Sequence, residues 1–244
     1  LPSARPHIIG ITAIGRIPAI LYGGPADRAY LFLHGQMGCK EEAEPFANIV
    51  CSKGYQVLSI DLPGHGERRG QEEFAPWTAV PDIQAAARWV QSRWHPLSLR
   101  ANSIGAYFAM LAIDAPDRAL LVSPVVDMPG LIEGMMQAAG VTPEQLEREK
   151  VIPVPDAQPL DWEYYCYVRE HRPDSWTAPT VVLIGERDEL EPPAVTEAFC
   201  KAHGCGLEQI PGAGHWLHTP EELAVLRSWL EQNLSGCGKP ENRI

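Results

Sequence analysis

Short apolar runs that alternate with helical patterns are the feature that most constrains the fold of this sequence. The runs at residues 29–33, 119–122 and 180–184 are apolar along almost their whole length. A strand of this kind is buried on both faces, as in a parallel sheet that helices cover on each side. Between these runs lie segments with apolar residues at helical spacing, such as residues 81–94. The sequence therefore predicts an α/β fold with a mostly parallel, twisted sheet and helices on both faces.

The remaining elements follow from local signals. Residues 7–14 and 16–22 predict an antiparallel hairpin that turns at Gly15. A capping box at residues 219–222, with Pro220 at the first helical position, predicts the last helix. Further strands are predicted at residues 55–60, 97–102 and 207–210, and further helices at residues 41–52, 106–113 and 193–203.

The regular alternation stops between residues 125 and 178. This segment is rich in methionine at its start and in tryptophan and tyrosine further on. It is too long to be a simple connection between two neighbouring strands. We therefore predict a single domain over residues 1–244, with a small helical cap at about residues 125–178, inserted before the strand at residues 180–184.

Composition excludes several classes of function. The 244 residues suffice for one large α/β core. The 20 basic and 31 acidic residues give a net charge of −11, which leaves no basic stripe for nucleic acid or an anionic membrane surface. No apolar run is long enough to span a membrane, and residues 1–6 lack the apolar core of a signal peptide. We expect a small-molecule substrate, no nucleic-acid partner and no membrane insertion. The sequence leads to no prediction of the oligomeric state.

The cysteines and histidines carry no metal-binding spacing. The cysteines are scattered without a Cys-x-x-Cys pair, which favours free thiols in a reducing cytoplasm and hence a cytoplasmic location. No His-x-His or His-Glu-x-x-His pattern occurs. We therefore expect neither a metal nor another cofactor. The six cysteines are Cys39, Cys51, Cys166, Cys200, Cys205 and Cys237.

The stretch at residues 97–113 carries the strongest chemical signal. An apolar strand leads into Ala101-Asn102-Ser103-Ile104-Gly105, and a buried helix follows. A turn this tight strains the backbone of the serine and needs small neighbours, although Ala101 stands where glycine is commoner. Ser103 is therefore a candidate nucleophile, and the alternative is an ordinary serine that caps a helix.

Polar residues follow the other predicted strands as well. Residues 34–38 read His-Gly-Gln-Met-Gly, Asp61 follows the next strand, residues 185–188 read Gly-Glu-Arg-Asp, and residues 212–215 read Gly-Ala-Gly-His. The carboxyl ends of parallel strands meet at one edge of the sheet, where ligands bind in such folds. We expect these residues to surround Ser103.

The order of these motifs along the chain resembles the α/β-hydrolase superfamily. The nucleophile comes first, then Asp188 after a strand, then His215, and the resemblance extends from about Arg28 to Leu234. It implies a serine hydrolase in which Ser103 attacks, His215 accepts its proton, and Asp188 orients the histidine.

The same resemblance implies an oxyanion hole. The family supplies two backbone N–H groups, one directly after the nucleophile and one after the His-Gly pair. These positions correspond to Ile104 and Gln36, with Met37 as a second choice for Gln36.

Other residues compete for the acid and base roles. Asp127 follows the strand that ends at Ser123, where some members of the superfamily place the acid, and His218 lies three residues beyond His215. The Gly-x-x-Asp turn and the glycines before His215 favour Asp188 and His215. We interpret His34, His65 and Asp61 as structural residues.

The reaction that the resemblance favours is hydrolysis of a small to medium carboxylic ester or thioester through an acyl-enzyme. A serine in the turn argues against the dehalogenase and epoxide hydrolase branches, which use aspartate there. Two alternatives stay open. The pairs Asn102-Ser103 and His215-Trp216 resemble the meta-cleavage-product hydrolases, which break carbon–carbon bonds, and some plant hormone receptors keep an intact triad on this fold. The acidic residues of the cap favour a neutral or cationic substrate.

Overall fold

The computed structural model describes residue 10, residues 13–155 and residues 158–235. In chain order the strands are β1 (Ala13–Ile14), β2 (Ile17–Tyr22), β3 (Arg28–Leu33), β4 (Tyr55–Ile60), β5 (Leu97–Asn102), β6 (Arg118–Val122), β7 (Val151–Ile152), β8 (Leu160–Asp161), β9 (Thr180–Gly185) and β10 (Gly206–Ile210). The α-helices are α1 (Glu44–Val50), α2 (Pro76–Gln91), α3 (Ser103–Ala112), α4 (Met128–Ala139), α5 (Pro143–Glu149), α6 (Trp162–Glu170), α7 (Pro193–His203) and α8 (Pro220–Ser235).

Eight of the strands form one sheet in the order β1-β2-β4-β3-β5-β6-β9-β10. The pairs from β4 to β10 are parallel, and β1 and β2 are added antiparallel at one edge. The central strands are buried along nearly their full length, as their uniform apolar character predicts. The predicted fold class is confirmed.

Side chains alternate between the two faces of the sheet, and each face has its own helices. Tyr30 and Phe32 of β3 pack in a cluster with residues of α1 and α8. Leu31 and Leu33 of the same strand belong to a second cluster, to which α2, α3 and α7 contribute. This division is the consequence of the two-residue period of a strand. Helices therefore cover both faces of the sheet, as predicted.

Several predicted boundaries differ from the structure. The helix predicted at residues 81–94 begins at Pro76 and contains Pro81 in its interior, because Pro76, and not Pro81, occupies the first turn, where a missing N–H costs nothing. The helix predicted at residues 41–52 is α1 with a 3₁₀ turn at each end. The hairpin turns at Gly15 as predicted, but residues 7–9 and 11–12 of its first arm lie outside the described residues.

The segment between β6 and β9 contains α4, α5 and α6 and the small antiparallel pair β7–β8. Helix α4 packs against α6 and β8, and the buried side chains Met128, Ile132 and Met136 belong to the larger of the two core clusters. The segment is thus largely helical, while its limits at residues 125–178 and its role as a cap stay predictions.

Within the described part of the chain, no helix combines the length and the apolar character that crossing a membrane requires.

Candidate active site

Ser103 lies at the sharp turn between β5 and α3. Its backbone φ is 49°, in the left-handed region that a non-glycine residue rarely adopts. The neighbours must be small because the turn packs closely: a Cβ atom on Gly105 would lie 2.2 Å from the carbonyl oxygen of His34. The strained backbone at the predicted serine is the geometry of a nucleophile elbow.

Three predicted site residues come together in a continuous chain of contacts. The Oγ atom of Ser103 lies 2.8 Å from Nε2 of His215, and Nδ1 of His215 lies 2.8 Å from Oδ2 of Asp188. A carboxylate can only accept a hydrogen bond, so Nδ1 carries the proton and Nε2 is left to accept from the serine hydroxyl. The Asp188 side chain is almost completely buried, whereas the His215 ring is partly open to solvent.

The loop that carries Asp188 is fixed from several sides. Oδ1 of Asp188 accepts hydrogen bonds from the backbone N–H groups of Leu190 and Glu191, at 3.0 and 2.9 Å. A Cβ atom on Gly185 would lie 2.2 Å from the carbonyl oxygen of Gly214. The loop that carries Asp188 and the loop that carries His215 are therefore in contact through their backbones. The carboxylate therefore meets His215 in one defined orientation.

The predicted oxyanion-hole residues flank Ser103. Gln36 and Ile104 line the same cavity as the serine. The N–H of Ile104 lies in the first turn of α3, where the helix offers it no acceptor. The N–H of Met37, the second choice, donates to Nε2 of His65 at 3.1 Å. Because that amide is engaged, the geometry favours Gln36.

Two buried histidines support the loop at residues 34–38. Nε2 of His34 accepts from the N–H of Leu62 at 3.0 Å, and its Nδ1 lies 2.8 Å from the carbonyl oxygen of Gly35, to which it donates. Burial lowers the pKa of His34 to about 4, and burial also lowers the pKa of His65. Both rings are therefore neutral at pH 7, when each Nε2 accepts a backbone N–H. Neither is in the contact chain from Ser103.

Asp61 holds the residues that follow this loop. Its carboxylate accepts from the backbone N–H and the Nζ of Lys40, at 2.8 and 2.9 Å, and from the N–H of Glu67 at 3.0 Å. Burial by itself would raise the pKa of Asp61, but the hydrogen bonds from Lys40 and Glu67 outweigh it and lower that pKa. Sequence reasoning missed Lys40, a buried lysine whose partner is 21 residues away.

The rival residues lie elsewhere. Asp127 pairs with Arg172 at 2.5 Å, and the described contacts include none between Asp127 and His215. His218 is exposed, and its ring stacks on Trp216. The described residues also contain no group of three or more His, Cys, Asp or Glu residues arranged to hold a metal ion.

A cavity of about 460 Å³ opens beside Ser103. Its size lies in the range of pockets for small molecules. Helix α4 supplies one wall through four apolar side chains spaced at i, i+3, i+4 and i+7, and the charged lining residues are acidic. The four are Met128, Leu131, Ile132 and Met135. The acidic lining residues are Glu73 and Asp161, and further apolar ones are Phe74, Val125, Leu160 and Leu190.

One buried residue near the site has no counterpart in the sequence prediction. Glu191 is 2% exposed and lies three residues beyond Asp188. Residues 186–191 read Glu-Arg-Asp-Glu-Leu-Glu, a mostly charged stretch, so the sequence gives no signal that Glu191 is buried.

A strained serine that contacts a histidine, itself in contact with a buried carboxylate at the carboxyl edge of a mostly parallel sheet, defines the α/β-hydrolase class of proteins. The model of the alpha/beta hydrolase family matches residues 30–226. The chain belongs to this family.

Solved structures agree with this assignment. Est1E from Butyrivibrio proteoclasticus, with bound ferulic acid, is 20% identical over 92% of this chain and 97% of its own, with a TM-score of 0.76. An esterase of Pyrococcus furiosus, PF2001, is 17% identical over 90% of this chain and 86% of its own, with a TM-score of 0.68. The mouse alpha/beta hydrolase domain-containing protein 10 is 13% identical over 96% of this chain and 99% of its own, with a TM-score of 0.70. At these identities the likeness shows the fold. Among curated proteins, no relative matches.

Proposed function

We propose that this protein is a serine hydrolase that cleaves a small to medium carboxylic ester or thioester through an acyl-enzyme. The observation that carries the proposal is the contact chain from Ser103 Oγ to His215 Nε2 and from His215 Nδ1 to Asp188, at 2.8 Å for each step. Membership of the family and the similarity in fold to two esterases support hydrolysis as the reaction.

Each residue has a defined role in this mechanism. Ser103 Oγ attacks the acyl carbon while His215 Nε2 takes its proton. Asp188 holds the proton on Nδ1 and stabilises the imidazolium that forms. His215 then gives its proton to the leaving oxygen or sulfur, and the acyl group stays on Ser103. Water, deprotonated by the same histidine, attacks the acyl carbon, and the acid leaves as His215 returns the proton to Ser103 Oγ.

The negative charge of the tetrahedral intermediate needs donors that are already in position. The backbone N–H groups of Gln36 and Ile104 would supply them. Losing one such donor costs about 3 kcal/mol of transition-state stabilisation. No metal or cofactor has a role in this sequence of steps.

The cavity beside Ser103 indicates the acyl group. Its apolar wall on α4 suits an uncharged acyl chain or ring of moderate size, and its acidic residues disfavour an anionic substrate. The ferulic acid bound to Est1E makes an aromatic acyl group one candidate. In this proposal residues 125–178 act as a cap over a single α/β domain, because α4 supplies the wall.

Ester hydrolysis by the purified protein tests the proposal. We expect p-nitrophenyl acetate, p-nitrophenyl butyrate and methyl ferulate to include a substrate, and we expect Ser103→Ala to abolish its turnover. A fluorophosphonate probe should label the wild type and not the variant. Turnover that survives in Ser103→Ala contradicts the proposed nucleophile. Labelling of Ser103 without turnover of any ester would instead favour the receptor alternative or a carbon–carbon bond hydrolase.

A further inference from the structure

Glu191 connects two segments that line the site. One of its carboxylate oxygens, Oε1, accepts hydrogen bonds from the backbone N–H groups of Val126 and Asp127, each at 2.9 Å. These two residues directly precede α4. The backbone N–H of Glu191 itself donates to Oδ1 of Asp188 at 2.9 Å. A single residue therefore joins Asp188 to the start of the helix that forms the cavity wall.

A buried carboxylate at this place needs a physical reason. Burial raises the pKa of Glu191, and the nearby carboxylates of Asp127 and Asp188 act in the same direction. The charged form is thus costly, and its hydrogen bonds to the two amides offset part of that cost. Without this acceptor, the N–H groups of Val126 and Asp127 would lose their hydrogen-bond partner in a largely buried position. The side chain is suited to holding two backbone segments together.

The residues on each side of the connection line the cavity. Leu190 precedes Glu191, and Val125 and Met128 flank the two amides that it binds. Asp127 adds a second attachment through its ion pair with Arg172, which follows α6. A shift of one segment would therefore displace both the acid and the apolar wall.

We propose that Glu191 is a positioning residue that locks the Asp188 turn to the start of α4. The orientation of His215 and the selectivity for the acyl chain then both depend on the Glu191 side chain. This inference rests on the proposed hydrolase function. It assigns Glu191 no contact with the substrate. Its effect on the reaction passes through Asp188 on one side and through Val125 and Met128 on the other.

Two variants of Glu191 separate the hydrogen bonds from the charge. Glu191→Leu removes the acceptor, and we expect kcat/KM for p-nitrophenyl esters to fall at least tenfold. The loss should be larger for the hexanoate than for the acetate, because only the longer chain reaches the wall. Glu191→Gln keeps an acceptor oxygen and should stay within about threefold of the wild type. If Glu191→Leu fails to fold, Glu191→Ala takes its place, since water can then reach the amides.

Glu222 provides a matched control. Its Oε2 also accepts two consecutive backbone N–H groups, those of His218 and Thr219, each at 2.9 Å, but it does not contact Asp188. Glu222→Leu should lower stability while kcat/KM stays within about threefold. The inference is wrong if Glu222→Leu matches Glu191→Leu, if Glu191→Gln is as impaired as Glu191→Leu, or if the hexanoate-to-acetate ratio does not change.

Hydrogen exchange separates a failure of the lock from a failure of the proposed function. We expect amide exchange in residues 125–128 to accelerate in Glu191→Leu and to stay at the wild-type rate in Glu191→Gln and Glu222→Leu. If the wild type hydrolyses no ester but this pattern holds, the lock exists and the proposed reaction is wrong. If exchange at residues 125–128 does not change in Glu191→Leu, the proposed positioning role of Glu191 is wrong, whatever activity is measured.

Discussion

The two loops that flank Ser103 are held in place by different chemistry. Neutral, buried imidazoles hold the loop at residues 34–38, where His65 accepts the N–H of Met37 and His34 donates to Gly35. Buried carboxylates hold the loop at residues 185–191, where Asp188 and Glu191 accept backbone N–H groups. The proposed mechanism accounts for the difference: in it the first loop offers backbone N–H groups to a negative charge, while the second keeps a negative charge beside His215.

The largest expected effect tests the carboxylate side. Asp188→Asn keeps the size of the side chain, but its amide can donate to Nδ1 and favours the wrong tautomer of His215. We expect kcat for the preferred ester to fall by about 10³- to 10⁴-fold. Asp127→Asn is the control and should lose far less activity, because Asp127 does not contact His215 and the amide oxygen of asparagine can still accept from Arg172. Equal losses in both variants would contradict the assignment of the acid.

The next prediction concerns His34, one of the buried imidazoles that hold the loop at residues 34–38, and the pH dependence of the free energy of unfolding. The pKa of His34 in the folded protein is about 4, below its ordinary 6.5, so the unfolded chain binds more protons between these values. Stability must therefore fall as the pH falls below about 6.5, by about 1.4 kcal/mol per pH unit for this group. Urea unfolding at pH 7 and pH 5 measures the loss.

Variants identify the residue responsible for that loss. His34→Gln cannot titrate and should show a smaller loss of stability between pH 7 and pH 5, by about 2 kcal/mol. His218→Gln, at an exposed histidine, should lose as much stability as the wild type. If His34→Gln and the wild type lose the same free energy of unfolding between pH 7 and pH 5, His34 does not cause the pH dependence of stability.

A smaller effect is expected from the second histidine. His65→Leu removes the acceptor for the N–H of Met37, which frees the loop that carries Gln36. An unsatisfied amide costs about 1 to 3 kcal/mol, and part of this should appear as a roughly tenfold lower kcat/KM. Its KM for the ester should change less than its kcat, because the donors act on the transition state. An unchanged kcat would remove His65 from the support of the oxyanion loop.

The smallest expected effect concerns the cavity wall on α4, which begins next to the segment that Glu191 binds. Met135→Ala enlarges the cavity, so the kcat/KM ratio of octanoate to butyrate esters should rise a few-fold, since a methylene is worth about 1 kcal/mol. Met136 is its neighbour, buried in the core and not part of the cavity lining. Met136→Ala should lower stability and leave the ratio unchanged. A reversed pattern would place the acyl chain elsewhere.

Local sequence patterns predicted the structure correctly where the interactions that determine it are between residues close in sequence. The apolar strands, the helix at residues 193–203 with its end at Gly204, and the capping box at Thr219 match the structure. The strained turn at Ser103 was also predictable, because its small neighbours stand within two residues. Prolines misled the prediction once: Pro81 lies inside α2, where packing of the helix outweighs the lost hydrogen bond.

The sequence by itself determined the order of the elements, the mostly parallel sheet and the serine at its sharp turn, because periodicity and steric fit act over a few residues. Only the tertiary structure decided which partners meet. His215 lies 112 residues from Ser103 and contacts Asp188, not Asp127. His65 engages Met37 across 28 residues, and Glu191 binds Val126 across 65. Such hydrogen bonds depend on the packed positions of separate loops. Motif order and local turns indicated Asp188 and His215 as candidates, but no local pattern indicated the partners of Met37 and Val126.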